Sequence, residues 1–303
     1  MNLSVSRKLR RDNTSSHGRE RSLPYLLIAP TVAVLVALSI YPLIYAVRVS
    51  LQTDSSAGVR WSLQNFTRLA SDDFFRSALA HTIVYTIIAL TFEFLLGLGL
   101  AVLLNRAMRG RSFFRAALLV PMMLPPVVVG VVWRLMLNPN FGAINGTLKG
   151  AGLNTETLTW TASPTLAFAS VIMVDIWQWT PFMFLILLAG LQAIPEEPYE
   201  AALIDGSSAW QTFRHITLPL LKPAILIALL LRTMDLLRVF DQIFILTEGG
   251  PGSATETISL YIYRTAFRFS DFGYAAAMSF VLLILTNAIS LLYIRLLQRQ
   301  EAT

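Results

Sequence analysis

Six apolar stretches, at residues 23–50, 79–104, 113–137, 165–194, 223–246 and 273–297, divide this chain of 303 residues. Each is long enough for a helix to cross the hydrocarbon core of a bilayer, which takes about 20 apolar residues. The fold class this predicts is an all-α polytopic membrane protein with six transmembrane helices. Composition agrees: 14% of the residues are charged and 55% hydrophobic, against about 25% charged in a soluble domain. The fifth stretch is the least clean, because Arg232, Asp235, Arg238 and Asp241 interrupt it. Charges spaced three apart form a stripe that can face the interior of a bundle.

Six spans put both termini on one side, and loop charge selects that side. Arg7, Lys8, Arg10, Arg11, Arg19 and Arg21 precede the first span, Arg106, Arg109, Arg111 and Arg115 lie between the second and third, and Arg295 and Arg299 close the last. The alternate loops carry Arg60, Arg68, Arg76, Lys149, Arg264 and Arg268, partly offset by acids such as Asp72, Asp73 and Glu256. Positive charge concentrates on the cytoplasmic face, so both termini are expected there. The organisation is then a cytoplasmic basic tail at 1–22, a six-span domain at 23–297 and a short cytoplasmic tail at 298–303. The first span exceeds the apolar core of a cleaved signal, about 7–15 residues, and reads as a retained anchor. The net charge of +6 belongs to this topology signal and calls for no nucleic acid.

Chemistry by thiols is excluded, since the chain has no cysteine, and His17, His81 and His215 stand too far apart for a zinc site. No metal ligands and no catalytic residues are expected.

One expected cytoplasmic loop, residues 195–220, is too ordered in composition to be a connector. Pro195 and Pro198 end the fourth span and allow a new helix to start, and Glu196, Glu197 and Glu200 crowd its beginning, where the helix dipole favours negative charge. Ala201 and Ala202 give it a shallow face, and Gly206 after Asp205 permits a turn or a close approach. Ser208 can cap a second short helix bearing Trp210, Phe213 and Ile216 on one side, expected to stop at Leu218 and Pro219. Such a pair suits a groove on a partner protein, and suits equally a loop resting on lipid headgroups with Trp210 as anchor.

The wording of the loop resolves this. Glu200, Ala201 and Ala202, then Gly206 after three residues, then Ile216, Thr217, Leu218 and Pro219 after nine more, resembles the EAA signature of permease subunits of ATP-binding-cassette importers. In that family the segment is a coupling helix docked in a cleft of a cytoplasmic ATPase. The stretches YLLIAP, SIYPLIYAVRVSL, PMMLPPVVVGVVWRLMLNPNFGAIN and FDQIFILTEGGPGSATET are similar to the carbohydrate-uptake branch, of the maltose or glycerol-3-phosphate transporter type. The large outward insertion and extra N-terminal spans of the enterobacterial maltose subunit are not expected, so a generic six-span member is the better comparison. The resemblance implies half of a translocation pathway for a sugar, polyol or sugar phosphate across the bacterial cytoplasmic membrane. It implies as partners a second six-span permease in a heterodimer, two copies of an ATPase that binds the ATP and Mg, an extracytoplasmic solute-binding protein and membrane lipid, with no cofactor on this chain. Glu200, Ala201, Ala202, Asp205, Gly206, Ile216, Leu218 and Pro219 would couple it to the ATPase.

For a solute path, Asp175 and Gln178 share a helical face and can hydrogen-bond hydroxyls, Trp179 offers a ring to a sugar, and Asp235 follows in the fifth span. Asp175, Asp235 and Arg238 read equally as structural ion pairs. Glu93, beside Gly97 and Gly99, reads as a packing or interfacial group, and Trp133 and Arg134 as the end of the third span. Pro121, Pro125 and Pro126 are expected to kink that span and strand backbone carbonyls. Gly249, Gly250, Pro251 and Gly252 read as a flexible turn, either plainly exposed or facing the binding protein. Two rivals stand beside the importer reading: a secondary transporter using Asp175 or Asp235 as an ion site, and an intramembrane enzyme, for which no convergent nucleophile and base are visible.

Overall fold

The computed structural model describes residues 16–55, 58–106, 109–155 and 158–301. Most of the tail expected at 1–22 lies outside these residues. Helix α1 (Ser16–Ser50) already includes the tail's last residues, and its exposed apolar surface makes it the peripheral helix of the bundle. It leads into a hairpin that the sequence reading does not anticipate, β1 (Gln52–Ser55) antiparallel to β2 (Gly58–Trp61), with Gln52 opposite Trp61. Strands of four residues carry too little alternation to stand out from a loop.

A short α2 (Gln64–Ser71) precedes α3 (Asp73–Asn105), the second span. The third span is broken: α4 (Arg111–Met123) and α5 (Pro126–Met136) meet at 94°. Pro126 opens α5, where a proline's missing N–H costs nothing. The carbonyl of Leu124, stranded at the bend, accepts a hydrogen bond from Gln178 Nε2 at 2.9 Å. The expected kink is thus a sharp corner held by a side chain from another helix. After α6 (Ala143–Gly150), α7 (Pro164–Ala193) forms the central span and continues through Pro181.

Helices α3 and α7 form the main interface of the bundle. A Cβ added to Gly97 would lie 2.6 Å from Met183 Cβ, so the two backbones approach at that point because the residue has no side chain. Between lipid-embedded helices there is no water to expel, so close packing and polar contacts carry the association. One core cluster includes Tyr85, Ala89, Val171, Val174, Leu236 and Ile243. A second, toward the start of α3, includes Phe75, Ile258, Tyr274 and Met278, and a third, toward its end, includes Ala101, Phe184, Leu187 and Leu221.

Residues 195–220 do not form two isolated short helices. After α8 (Glu197–Ile204), α9 (Ala209–Thr212) passes through a π-turn at Phe213–Thr217 straight into α10 (Leu218–Leu236), giving one helix over Ala209–Leu236. Pro219 does not stop it. The wider π-turn just before the proline relaxes the i−4 spacing with which its ring would clash. The span ends at Leu236 rather than at 246. Residues 237–240 break it, and α11 (Asp241–Leu246) follows as a separate turn packed on α5 and α7.

The segment at 248–257 is not a flexible exposed turn. Thr255, Glu256 and Thr257 are buried, and the Thr247 and Thr255 hydroxyls lie 2.7 Å apart. It feeds α12 (Ile258–Tyr263), a second π-turn at Arg264–Arg268 and α13 (Phe272–Glu301). Helix therefore extends into the tail expected at 298–303. With the bent pair counted as one, six spans are long and apolar enough to cross a membrane.

Candidate functional site

At one end of the bundle, α8 projects beside the ends of α3 and α7. Pro198 lies in its first turn with Glu197 and Glu200, as the dipole favours. Ala202 is buried, whereas Glu200, Ala201, Leu203, Ile204, Asp205 and Gly206 are exposed, Leu203 and Ile204 by 80% and 87%. Gly206 adopts φ +71 and ends the helix, with Ser207 N donating to Ala202 O at 2.9 Å. A left-handed residue at that position is the usual reason for glycine. Nothing lies within 4 Å of where its Cβ would be, so the turn rather than a close approach within the chain explains it.

Ser208 and Gln211 complete a capping box that starts α9. Trp210 stacks on Phe213 with ring centroids 5.9 Å apart and remains exposed. The Tyr199 hydroxyl donates to Thr217 Oγ1 at 3.2 Å, tying α8 to the π-turn. Ile216 and Leu218 are half-buried and Pro219 is exposed. A cavity of about 430 Å³, lined by Val102, Asn105, Leu191, Tyr199, Leu203 and Phe213, lies where the loop meets α3 and α7. The loop is therefore anchored at its base, and its free surface carries Leu203, Ile204 and Trp210 among charged residues such as Glu200 and Asp205.

Inside the bundle, Arg232 of α10 gathers two acids. Its Nε and Nη2 donate to the two carboxylate oxygens of Glu93 on α3 at 2.7 and 2.9 Å, and Nη2 also donates to Asp175 Oδ2 on α7. All three side chains are buried. The guanidinium sits over the Trp179 ring, 4.9 Å from its centroid. Glu93 is thus a core ion-pair partner rather than a packing or interfacial group. Its role is invisible in sequence because Arg232 lies 139 residues away.

A cavity of about 150 Å³ opens beside this trio, lined by Asp175, Trp179, Arg232, Asp235, Arg238 and Asp241 among others. Asp175, Trp179 and Asp235 meet there as one group. Gln178 does not join them: it is fully buried, donating to Leu124 O and accepting from Gln242 Nε2. Asp235 and Arg238, 3.6 Å apart, are half-exposed. Trp133 packs edge-on to Trp177, and Arg134 donates to Ile245 O at 3.2 Å, so both hold α5 in place.

Residues 93–301 match the family of binding-protein-dependent transport system inner membrane components. The chain belongs to that family. Its permease relatives include the trehalose/maltose transport system permease protein MalF of Thermococcus litoralis, 39% identical over 91% of this chain and 94% of that protein. The trehalose transport system permease protein SugA of Mycobacterium tuberculosis is 35% identical, covering 93% and 91%, and the lactose transport system permease protein LacF of Rhizobium radiobacter is 33% identical, covering 88% and 91%. In fold, the permease is similar to a chain of the crystal structure of a bacterial ABC transporter that imports alginate, with TM-score 0.82 and 24% identity over 92% of this chain and 96% of that one. The family carries the EAA motif that residues 200–219 spell.

Proposed function

We propose that this permease forms half of the translocation pathway of an ATP-driven sugar importer and that the α8–α9 loop is where a partner ATPase takes hold. The observation that carries the reading is the anchored loop with Leu203, Ile204 and Trp210 exposed on it. Large apolar side chains left exposed on an otherwise polar loop point to an interaction site. Both termini and this loop would face the cytoplasm, as the distribution of arginine argues. The partners would be a second six-span permease, two ATPase copies that bind ATP and Mg, and an extracytoplasmic binding protein. Support for a sugar comes from the relatives, whose names specify trehalose, maltose and lactose transport.

The mechanism follows from continuity. Because α9, the π-turn and α10 form one helix, a force on the loop reaches Arg232 without passing through a flexible joint. Tilting α10 moves Arg232 and Asp235 against Asp175 and Trp179, altering the cavity they line. Carboxylates, guanidinium groups and an indole face suit a polyhydroxylated solute, which needs donors, acceptors and a stacking surface together. The ion-site rival loses ground because Asp175 is already occupied by Arg232.

The test is reconstitution with the partner subunits and binding protein in liposomes. Uptake of a disaccharide that requires both ATP and the binding protein supports the reading. Uptake by this chain alone, driven by an ion gradient, contradicts it.

A further inference from the structure

We infer that residues 248–257 form a rigid peg that sets the shape of the broken fifth span, with Thr257 as its positioning contact. The break at 237–240 ends α10 and supplies Arg238, Val239 and Phe240 to the cavity wall, with Asp241 just beyond. A helix that stops inside a bundle leaves carbonyls without partners, and each must be satisfied from elsewhere. The carbonyl of Val239 accepts from Thr257 Oγ1 at 3.2 Å, and Thr257 is buried. The next residue is tied in the other direction: Ile258 N donates to Thr82 Oγ1 on α3 at 2.9 Å. Two consecutive residues thus fasten one segment to the break and to the second span.

The segment is stiff enough to act as a unit. Thr255 Oγ1 donates to Gly250 O at 3.0 Å and Thr255 N to Gly249 O at 3.1 Å. Arg264 clamps it from outside, donating to Glu248 O and to Glu256 Oε2, each at 2.8 Å. Across the break, Phe240 and Phe244 stack at 5.2 Å and both contact Tyr263 of α12. The break is therefore gripped by one hydroxyl and one ring cluster, both attached to the segment's C-terminal side. Among the described residues, the Thr257 hydroxyl bonds to Val239 and not to a member of the charged trio. It acts through Val239, holding the wall that Phe240 and Asp241 continue, and so limits access to the cavity from that end. The proposed function gives this wall its importance, because it places the cavity on the solute path.

The chain has no cysteine, which makes Val239→Cys a single reporter at a half-buried position on the wall, with the backbone carbonyl that Thr257 holds left in place. Its labelling by a water-soluble maleimide is to be measured in nanodiscs containing the full chain, with Thr257→Val, Thr257→Ser and Thr82→Val introduced separately. Loss of one hydrogen bond predicts labelling faster by about fivefold in Thr257→Val, a smaller increase in Thr82→Val, and a rate restored by Thr257→Ser. A Leu203→Cys reporter on the distant loop should label at the same rate in all backgrounds. An unchanged or slower rate in Thr257→Val overturns the inference, as does an equal change at Leu203→Cys, which would signal general loosening. Labelling needs neither ATP nor partners, so its outcome is independent of whether the chain works in an ATP-driven importer.

Discussion

Arg232 on α10 holds Glu93 on α3 with two hydrogen bonds, and the same guanidinium reaches Asp175 on α7, so one side chain joins three spans. Removing one member of a buried ion pair leaves a bare charge and costs about 3–5 kcal/mol, whereas replacing all members with hydrophobic residues of similar volume costs far less. Arg232→Ala is therefore expected to lower the unfolding temperature of the protein in nanodiscs strongly. The triple variant Glu93→Leu, Asp175→Val, Arg232→Met should recover most of the loss. If the triple variant is as unstable as the single one, shape rather than charge holds the three helices at this level.

Gly206 links the loop's backbone to its proposed task. At φ +71 a side chain costs about 1 kcal/mol, so Gly206→Ala should assemble with slightly reduced coupling. Gly206→Glu adds bulk and charge on an open surface and should weaken ATPase docking while leaving the chain in the membrane. Normal co-purification with the ATPase and normal solute-stimulated hydrolysis in Gly206→Glu would count against the loop's assignment.

Gln178 is a second structural tie. Gln178→Leu would leave Leu124 O and the Gln242 amide without partners at the corner between α4 and α5. A buried polar group left unsatisfied costs about 1–3 kcal/mol. The expected result is reduced thermal stability, with any remaining transport showing an unchanged apparent affinity for the solute. A selective rise in KM at full stability would instead return Gln178 to the solute path.

At the far end of the bundle, Asp72 accepts hydrogen bonds from Phe74 N and Phe75 N and from the hydroxyls of Tyr261 and Tyr274. Burial alone would raise its pKa, but these bonds outweigh burial and hold the carboxyl below its ordinary value near 3.8. A depressed folded-state pKa contributes stability that is present above about pH 4 and is lost as pH falls through the folded value. The unfolding temperature of the wild type should thus fall more steeply between about pH 5 and pH 3 than that of Asp72→Asn. Parallel curves would show that Asp72 contributes no linked proton.

The six spans are legible because a run of apolar residues reports its own length, and α8 is legible because prolines, acids and a glycine mark its ends locally. What escapes is whatever depends on partners distant in the chain. Glu93 alone reads as a packing residue until Arg232, 139 positions on, closes over it. Gln178 shares a helical face with Asp175 as the spacing implies, yet the corner at Leu124 claims it. The glycines at 249, 250 and 252 signal a turn correctly, but burial of that turn depends on Thr82, Val239 and Arg264, which no local pattern reveals. Pro219 misleads for a different reason: a π-turn absorbs a proline that would end a regular helix.

The central claim, that the exposed face of α8 grips an ATPase, is tested most directly by a single cysteine at Leu203 in a chain that otherwise has none. With a matching cysteine in the cleft of the ATPase, disulfide formation in native membranes is expected, with a yield that changes between the nucleotide-free and ATP-bound states. Labelling of Leu203→Cys from the extracytoplasmic side, or no crosslink to any ATPase in an assembly that still transports, would contradict it.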